Sequence, residues 1–298
     1  MATQGIDYNM YMPRVLIAVK PITENKNATL IFDDGQCVLS SDELQKDQAV
    51  TIRIRNSEKR YCQGWYDIET HQNFPCENAS IVDAKFGSCY VCRSRTDFNP
   101  GFYNSANISP KQAAYNARPH TVYIAYFGNE LYKAGILSQS RGLDRIYEQG
   151  ALYYAIVEQS KDAYDAHALE ERLIKQGLRN SVTKSQKQTS YESLCRLDDV
   201  LSTRALKNKL ASVGLASDLQ VNTTIDTFFF GHRPVEPITT VEDSQVSGIM
   251  KGIVGNYLVV ENHDRLFGIW LSKLLGYETE ISEELVRIEA EPTQSSLF

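Results

Sequence analysis

The segment VYIAYFGNELYKAGI, residues 122–136, constrains the fold more than any other part of this sequence. Gly128 and Asn129 separate two apolar runs, and this pattern predicts a β-hairpin. Because side chains alternate between the two faces of a strand, Lys133 is predicted to share a face with Gly135. A lysine in this position either faces an anion-binding site, reaches solvent, or protects an edge strand from aggregation.

Further helix and strand patterns follow the hairpin. Residues 143–149 are predicted to form a short helix that Gly150 stops, and ALYYAIV is predicted to form a third strand. Apolar residues at helical spacing over residues 162–176, followed by Gly177, predict a second helix. The predicted fold class is therefore α+β, with a small β-β-α-β-α core, a cysteine-rich module and β-rich terminal segments.

Changes in composition divide the chain into five predicted intervals. A polar linker over residues 181–190 is predicted to separate the α/β module from a helix-prone stretch over residues 191–213. The intervals are an N-terminal β segment (1–60), a four-cysteine module (61–119), an α/β module (120–182), a linker and helical segment (183–224) and a C-terminal β unit with an acidic tail (225–298).

Length and charge narrow the class of protein. A chain of 298 residues predicts two or three packed units. A net charge of −6 argues against coating nucleic acid by bulk electrostatics, so any nucleic-acid contact is expected to be local. The sequence shows no leader with a basic segment before an apolar one, and no apolar run of membrane-spanning length. We therefore expect a cytoplasmic protein without a membrane partner.

Four cysteines close together in the sequence predict a zinc site. Cys89 and Cys92 form a C-x-x-C pair, a spacing that lets both thiolates reach one tetrahedral ion. His71 could replace one of the other ligands, and four buried free thiols are the alternative interpretation. Cys37 and Cys195 are predicted to be core residues. The predicted ligands of the structural zinc are Cys62, Cys76, Cys89 and Cys92.

Glu170 lies on the apolar stripe of the second predicted helix, together with Ala166 and Ile174, whereas Glu171 is predicted to face solvent. A buried carboxylate is costly unless it is paired or binds a metal. A basic strip without an intervening acid follows, which suits phosphate contacts, although such runs are commonly solvated helix ends. The strip consists of Arg172, Lys175, Arg179, Lys184 and Lys187.

These residues resemble the GIY-YIG nuclease module over residues 120–182. The resemblance implies a site in which Tyr123 is the tyrosine of the first strand, Glu170 holds a catalytic Mg²⁺ or Mn²⁺, and Asn180 is the asparagine that follows. Either Arg145 or Arg141 matches the helix arginine, and Arg145 is preferred because it lies within the predicted helix. The implied activity is cleavage of phosphodiester bonds in DNA or RNA.

The second motif of that module is altered in this chain. The tyrosine of Y-I-G falls on Lys133, counting back from Gly135, while the adjacent Tyr132 points to the other face. A lysine is a good phosphate ligand, and it becomes a base only when desolvation lowers its pKa. Lys133 is therefore expected to belong to the site, for binding rather than catalysis.

The order of motifs also resembles an uncharacterised bacterial and archaeal family, domain of unknown function 2797. The resemblance covers most of the chain from Cys62 onward and implies an architecture rather than an activity. It rests on the spaced cysteines and on YCQGWYD, HTVYIAYFG, RIYEQGA and KGIVGNYLVVENHDRLFGIWLSKLLGYE.

Three functional hypotheses follow. The first is a divergent metal-dependent nuclease that binds nucleic acid through Arg141, Arg172, Lys175 and Arg179. The second is a zinc-containing nucleic-acid-binding protein that has lost catalysis, in which the cysteine module presents Arg93, Arg95, Phe98 and Phe102. The third is a protein-interaction scaffold. Glu170 favours the first over the second, because a non-catalytic copy has no reason to keep a carboxylate on an apolar face.

Overall fold

The computed structural model describes residues 13–288, except residues 25, 84, 100, 103–106, 217 and 243. Part of the predicted acidic tail, residues 289–298, lies outside the described residues. Among the helices described, none has the length and apolar character that a membrane span requires.

The described chain is a mixed α+β protein, as predicted. Its strands are β1 Val15–Lys20, β2 Ala28–Asp33, β3 Leu39–Leu44, β4 Ala49–Asn56, β5 Trp65–Asp67, β6 Gln72–Phe74, β7 His120–Tyr126, β8 Tyr132–Ser138, β9 Tyr153–Ser160, β10 Val221–Thr223, β11 Ile238–Thr240, β12 Gln245–Val254, β13 Tyr257–Asn262, β14 Arg265–Trp270 and β15 Glu278–Ser282. Its α-helices are α1 Tyr90–Thr96, α2 Pro110–Asn116, α3 Asp144–Gln149, α4 Ala163–Lys175, α5 Lys184–Glu192, α6 Asp199–Ser212 and α7 Ile225–Phe228.

Strands from both ends of the chain form one nine-stranded sheet, in the order β11-β14-β13-β12-β4-β15-β1-β2-β3. β4 pairs antiparallel with β12 on one side and with β15 on the other. Leu16, Val50 and Tyr257 are fully buried in the main apolar cluster. The N-terminal and C-terminal β segments, which the sequence presents as separate intervals, are thus joined through backbone hydrogen bonds.

The predicted hairpin lies in a four-stranded sheet of order β10-β9-β7-β8. Tyr123 pairs with Gly135, and Ala125 pairs with Lys133, so these four residues share one face. A methyl group added at Gly135 would lie 2.6 Å from the Tyr123 ring. Gly135 is therefore required, because the Tyr123 ring lies directly over it.

Helices pack on both faces of this sheet. α3 contributes Ile146 to the apolar cluster around Tyr123, and α4 places Leu169 and Leu173 in the main cluster with Ile124 of the opposite face. Asp162 caps the N-terminus of α4 by accepting from the Asp165 amide. Both helices were predicted within one residue of their observed bounds.

The predicted polar linker over residues 181–190 is wrong, because most of it is helix α5. Thr183 and Gln186 form a reciprocal capping box at its first turn, and Tyr191 near its end is fully buried. The helix has no apolar stripe in the sequence, so its periodicity could not reveal it. Cys37 is also corrected, since it is exposed in a turn with a φ of 62°.

Candidate functional site

The four predicted cysteine ligands come together in the structure. Their Sγ atoms all lie within 4.8 Å of one another, and no disulfide joins them. Sulfur atoms around a tetrahedral zinc ion with bonds of about 2.3 Å are separated by distances of this order. The cluster could therefore hold a metal ion such as zinc. It contains Cys62, Cys76, Cys89 and Cys92.

Backbone turns shape this cluster. The Cys89 amide donates to Cys62 Sγ at 3.1 Å, and the Cys92 amide donates to Cys89 Sγ at 3.5 Å. Gly64 has a φ of 71°, and a Cβ there would meet the Phe74 carbonyl at 1.8 Å, so only glycine fits beside the β5–β6 hairpin. Amide-to-sulfur bonds stabilise thiolates, the form that binds metal.

Burial changes the pKa values of these thiols. Desolvation by burial raises the pKa of Cys62 to about 11 and raises the pKa of Cys92 further. For Cys89, burial acts in the same direction, but hydrogen bonds from the Cys92 amide and from the neighbouring thiols lower the pKa to about 7. Four thiolates at this separation need a cation, since desolvation and mutual repulsion otherwise oppose their charges.

Three further predictions about this module are corrected. His71 lies away from the thiols, and its ring nitrogens are 3.1 Å from Tyr66 Oη and 3.3 Å from Ser140 Oγ. Arg95 makes two hydrogen bonds to Glu77 and is not presented as a free cation. Phe102 is 7% exposed, so it is not a surface ring. Phe98 and Arg93 remain exposed, and the Arg93 guanidinium stacks 4.4 Å above the Phe86 ring.

Gln149, the last residue of α3, is the centre of a second polar cluster. Its Oε1 accepts from Lys133 Nζ at 3.0 Å, and its Nε2 donates to Tyr123 Oη at 2.5 Å. Its backbone carbonyl accepts from Lys187 Nζ at 2.6 Å. Sequence analysis did not identify Gln149 as a site residue. Its position directly before Gly150, which stops the helix, indicated only that Gln149 ends α3.

The amines of this cluster are desolvated. Burial, reinforced by the charge of Arg145, lowers the pKa of Lys133 to about 8, while Glu170 acts in the opposite direction. Burial, with the charges of Lys133 and Arg145, also lowers the pKa of Lys187 to about 8. Lys133 thus points inward against Gln149, although β8 is an edge strand. A lysine that protects an edge strand from aggregation would point to solvent, so that interpretation does not explain the orientation of Lys133.

Tyr123 is fully buried, and desolvation raises its pKa to about 12. Arg145 lowers that pKa and Glu170 raises it, so both charges lie within electrostatic range of the phenol. The side chain of Glu170 is 12% exposed and that of Glu171 is 51% exposed, as predicted. His167 Nδ1 lies 3.2 Å from Glu170 Oε2.

The two candidate arginines share a carboxylate. Arg145 Nη1 lies 3.3 Å from Glu148 Oε2, and Arg141 pairs with the same oxygen. The Arg145 side chain is 42% exposed, whereas that of Arg141 is 22% exposed and lies 5.6 Å from the Tyr66 ring centroid. Arg145 is therefore the more accessible of the two.

The remaining predicted site residues lie on the surface of the protein. Arg172, Lys175, Arg179 and Asn180 are all exposed. The backbone of Arg179 extends the sheet, since its amide donates to the Tyr132 carbonyl at 3.0 Å and its carbonyl accepts from the Ala134 amide at 3.1 Å. This pairing places Arg179 and Asn180 along the edge of β8, beside Lys133.

Residues 48–278 match the model of a family described as "Protein of unknown function (DUF2797)". The chain belongs to this family. The match to DUF2797 runs from β4 through the cysteine cluster and the Lys133 cluster to the first residue of β15. No curated protein and no solved structure matches the chain. The GIY-YIG likeness and the bacterial or archaeal origin therefore stay predictions.

Proposed function

We propose that this chain is a divergent metal-dependent nuclease that cleaves phosphodiester bonds of nucleic acid. The observation that supports the proposal most is the cluster around Gln149, which joins side chains from β7, β8, α3 and α4 within electrostatic range. These elements come from separate parts of residues 120–182, and the cluster contains the residues expected from the GIY-YIG resemblance: Tyr123, Lys133, Arg145 and Glu170.

Each side chain has a role in this proposal. The pKa of Lys133, lowered by burial to about 8, leaves its amine mostly protonated at pH 7, so Lys133 contacts a phosphate oxygen as a cation. Arg145 stabilises the negative charge that develops on the phosphate oxygens. Tyr123 is a positioning residue, because its buried phenol holds the Gln149 amide against Lys133.

Glu170 is proposed to hold Mg²⁺ or Mn²⁺. Mg²⁺ is commonly bound by one or two carboxylates together with substrate phosphates and water, so a single half-buried glutamate is a sufficient protein ligand. The bound ion would neutralise charge on the phosphate and on the leaving oxygen. Among the described residues, the cysteine cluster alone brings together three or more metal-ligating side chains.

We further propose that the cysteine cluster holds a structural zinc ion. The four thiolates would occupy all positions of a tetrahedral ion, so this zinc has no open position for substrate. Its role is to stabilise the loop-rich module.

The alternative is a nucleic-acid-binding protein without catalysis. The contact between His167 and Glu170 favours it, because a protein partner gives the carboxylate a reason to be half-buried without a metal. On this alternative, the exposed Arg172, Lys175 and Arg179 would contact phosphates.

A cleavage assay separates the two functions. Purified protein is incubated with plasmid DNA, single-stranded DNA and structured RNA, with Mg²⁺ or Mn²⁺. The nuclease proposal predicts metal-dependent cleavage that Glu170→Gln abolishes while oligonucleotide binding survives. Glu171→Gln is the matched control on the same helix and is expected to retain activity. Cleavage that is equal in both variants would exclude Glu170 as the metal ligand.

A further inference from the structure

We infer that Lys187 joins Lys133 and Arg145 in a phosphate-binding site that works without a divalent metal. This inference rests on the proposed function for its ligand class, and it adds a residue from α5, outside the module that the GIY-YIG resemblance covers. The site would hold a phosphate group of nucleic acid before and independently of metal binding.

The geometry brings two amines to one residue. Lys133 reaches the Gln149 side chain from β8, and Lys187 reaches the Gln149 backbone carbonyl from α5. Lys187 Nζ also lies 4.5 Å from the centroid of the Phe127 ring. An ammonium group has three donors, and each of these amines has one hydrogen bond to the protein among the described residues.

The polar cluster around Gln149 contains more positively than negatively charged side chains. Among the described residues, neither Lys133 nor Lys187 has a carboxylate within ion-pair distance, and Glu170 acts on Lys133 only at longer range. Glu148 is shared between Arg141 and Arg145. Four cationic side chains thus face two carboxylates, in a protein whose net charge is −6. A concentrated positive charge of this kind is suited to an anionic ligand.

The alternative for Lys187 is a purely structural role at the end of a helix. Its bond to the Gln149 carbonyl lies at the C-terminus of α3, where a cation stabilises the helix end. A capping role alone requires no second amine nearby, and it would leave Lys133 and Lys187 repelling each other with Glu170 as a longer-range counter-charge on Lys133. A bound phosphate would neutralise both amines and could bridge them.

The ligand chemistry is a phosphate group with at least one negative charge. It could come from an internal phosphodiester or from a terminal phosphate of an oligonucleotide. Lysine and arginine both bind phosphate, arginine through its planar donor fork and lysine as a compact charge. The cluster offers both kinds of ligand on separate elements.

The test measures oligonucleotide binding to the full chain by fluorescence anisotropy, with no Mg²⁺ or Mn²⁺ added. The probe is a labelled single-stranded oligonucleotide without terminal phosphates, and a second copy carries a 5′-phosphate. Lys187→Met is expected to weaken binding about tenfold, because a charge-assisted contact is lost. Lys184→Met is the matched control, since Lys184 lies on the same helix but bonds to Ser272. It is expected to change affinity less than about twofold.

Further variants and the second probe distinguish the possible explanations of a change in binding. Lys187→Gln, which keeps a donor for the Gln149 carbonyl, is expected to weaken binding as much as Lys187→Met, and Lys133→Met should do the same. Wild-type protein that binds the probe without metal but cleaves no substrate with Mg²⁺ or Mn²⁺ would refute the nuclease and retain this site. Tighter binding of the 5′-phosphate probe would assign the site to a terminal phosphate, and equal binding to an internal one. Wild-type protein that does not bind, or equal losses for the Lys187 and Lys184 variants, would overturn the inference.

Discussion

At the scale of the residue, Lys133 is the position where the proposed function and stability oppose each other. It is held inward by Gln149, beside the charges of Arg145 on α3 and Lys187 on α5, while the charge of Glu170 on α4 raises its pKa. The buried phenol of Tyr123 belongs to the same polar cluster. A cation in such a position destabilises the fold, which is typical of a residue retained for function.

Replacing Lys133 by methionine is expected to stabilise the protein at pH 7. A pKa lowered from 10.5 to about 8 corresponds to about 1 to 3 kcal/mol of unfavourable free energy for the protonated amine. The free energy of unfolding, from urea denaturation at pH 7, should rise by that amount in Lys133→Met. Lys184→Met, a variant of an exposed lysine, should change it by less than about 0.5 kcal/mol.

The pH dependence gives a second prediction for the same side chain. The unfolded chain keeps the lysine protonated up to about pH 10.5, whereas the folded chain loses this proton at about pH 8. Between these values the unfolded state binds more protons, so Lys133 makes the free energy of unfolding rise with pH. The advantage of Lys133→Met over wild type should therefore shrink as the pH rises from 8 to 10.5. An advantage that is constant over this range would contradict the lowered pKa.

Gly135→Ala tests the contact between the strand and Tyr123. The added methyl group would lie 2.6 Å from the phenol ring, which is itself fully buried and cannot move freely. We expect a loss of about 1 to 3 kcal/mol in the free energy of unfolding. Gly101→Ala is the control, since a methyl group there meets only the Asn99 side chain at 3.4 Å. Equal effects of the two substitutions would refute the packing argument.

At the scale of the element, the sequence predicts strongly periodic segments well and capped polar segments poorly. α3 and α4 could be predicted, because α3 ends at Gly150 and α4 carries an apolar stripe between Asp162 and Gly177. α5 was not predicted, because the Thr183 capping box is followed by no apolar stripe and Tyr191 is buried only by tertiary packing. The cysteine spacing identified the thiol cluster, but Gln149 became visible only when β8, α3 and α5 were brought together.

The cysteine module has its own prediction. Purified protein is expected to contain about one zinc ion per chain by elemental analysis. Cys89→Ser should lower the zinc content and make residues 61–119 sensitive to proteolysis, because the lost thiolate leaves the metal incompletely coordinated. Cys195→Ser, a change at a partly buried thiol outside the cluster, should do neither. Protein that contains no zinc and is indifferent to chelators would contradict the zinc proposal.

At the scale of the whole molecule, the two ends of the chain depend on each other. β4 lies between β12 and β15, so the N-terminal segment supplies a strand that is flanked on both sides by C-terminal strands. Short-range sequence patterns could predict the individual strands but not this pairing, because the partners are separated by most of the chain. The family match, which begins at residue 48, also includes β4.

Ile52→Ala tests this interdependence. Ile52 of β4 is fully buried between its two partner strands, so its truncation should lower the free energy of unfolding by about 2 to 5 kcal/mol. Hydrogen exchange should accelerate in β12 and β15 together with β4. Arg53→Gln, on the exposed face of the same strand, removes a surface ion pair with Glu280 and should cost less than about 1 kcal/mol. Faster exchange confined to β4 would show that the two ends are not coupled.

The proposed metal and phosphate sites are tested most directly by a crystal structure of the protein with an uncleavable phosphorothioate oligonucleotide and Mn²⁺, with anomalous data collected at the manganese and zinc edges. We expect a manganese peak at Glu170, a phosphate between that ion and Lys133, Arg145 and Lys187, and a zinc peak among the four cysteines. An oligonucleotide bound elsewhere, with no manganese at Glu170, would contradict the proposed sites.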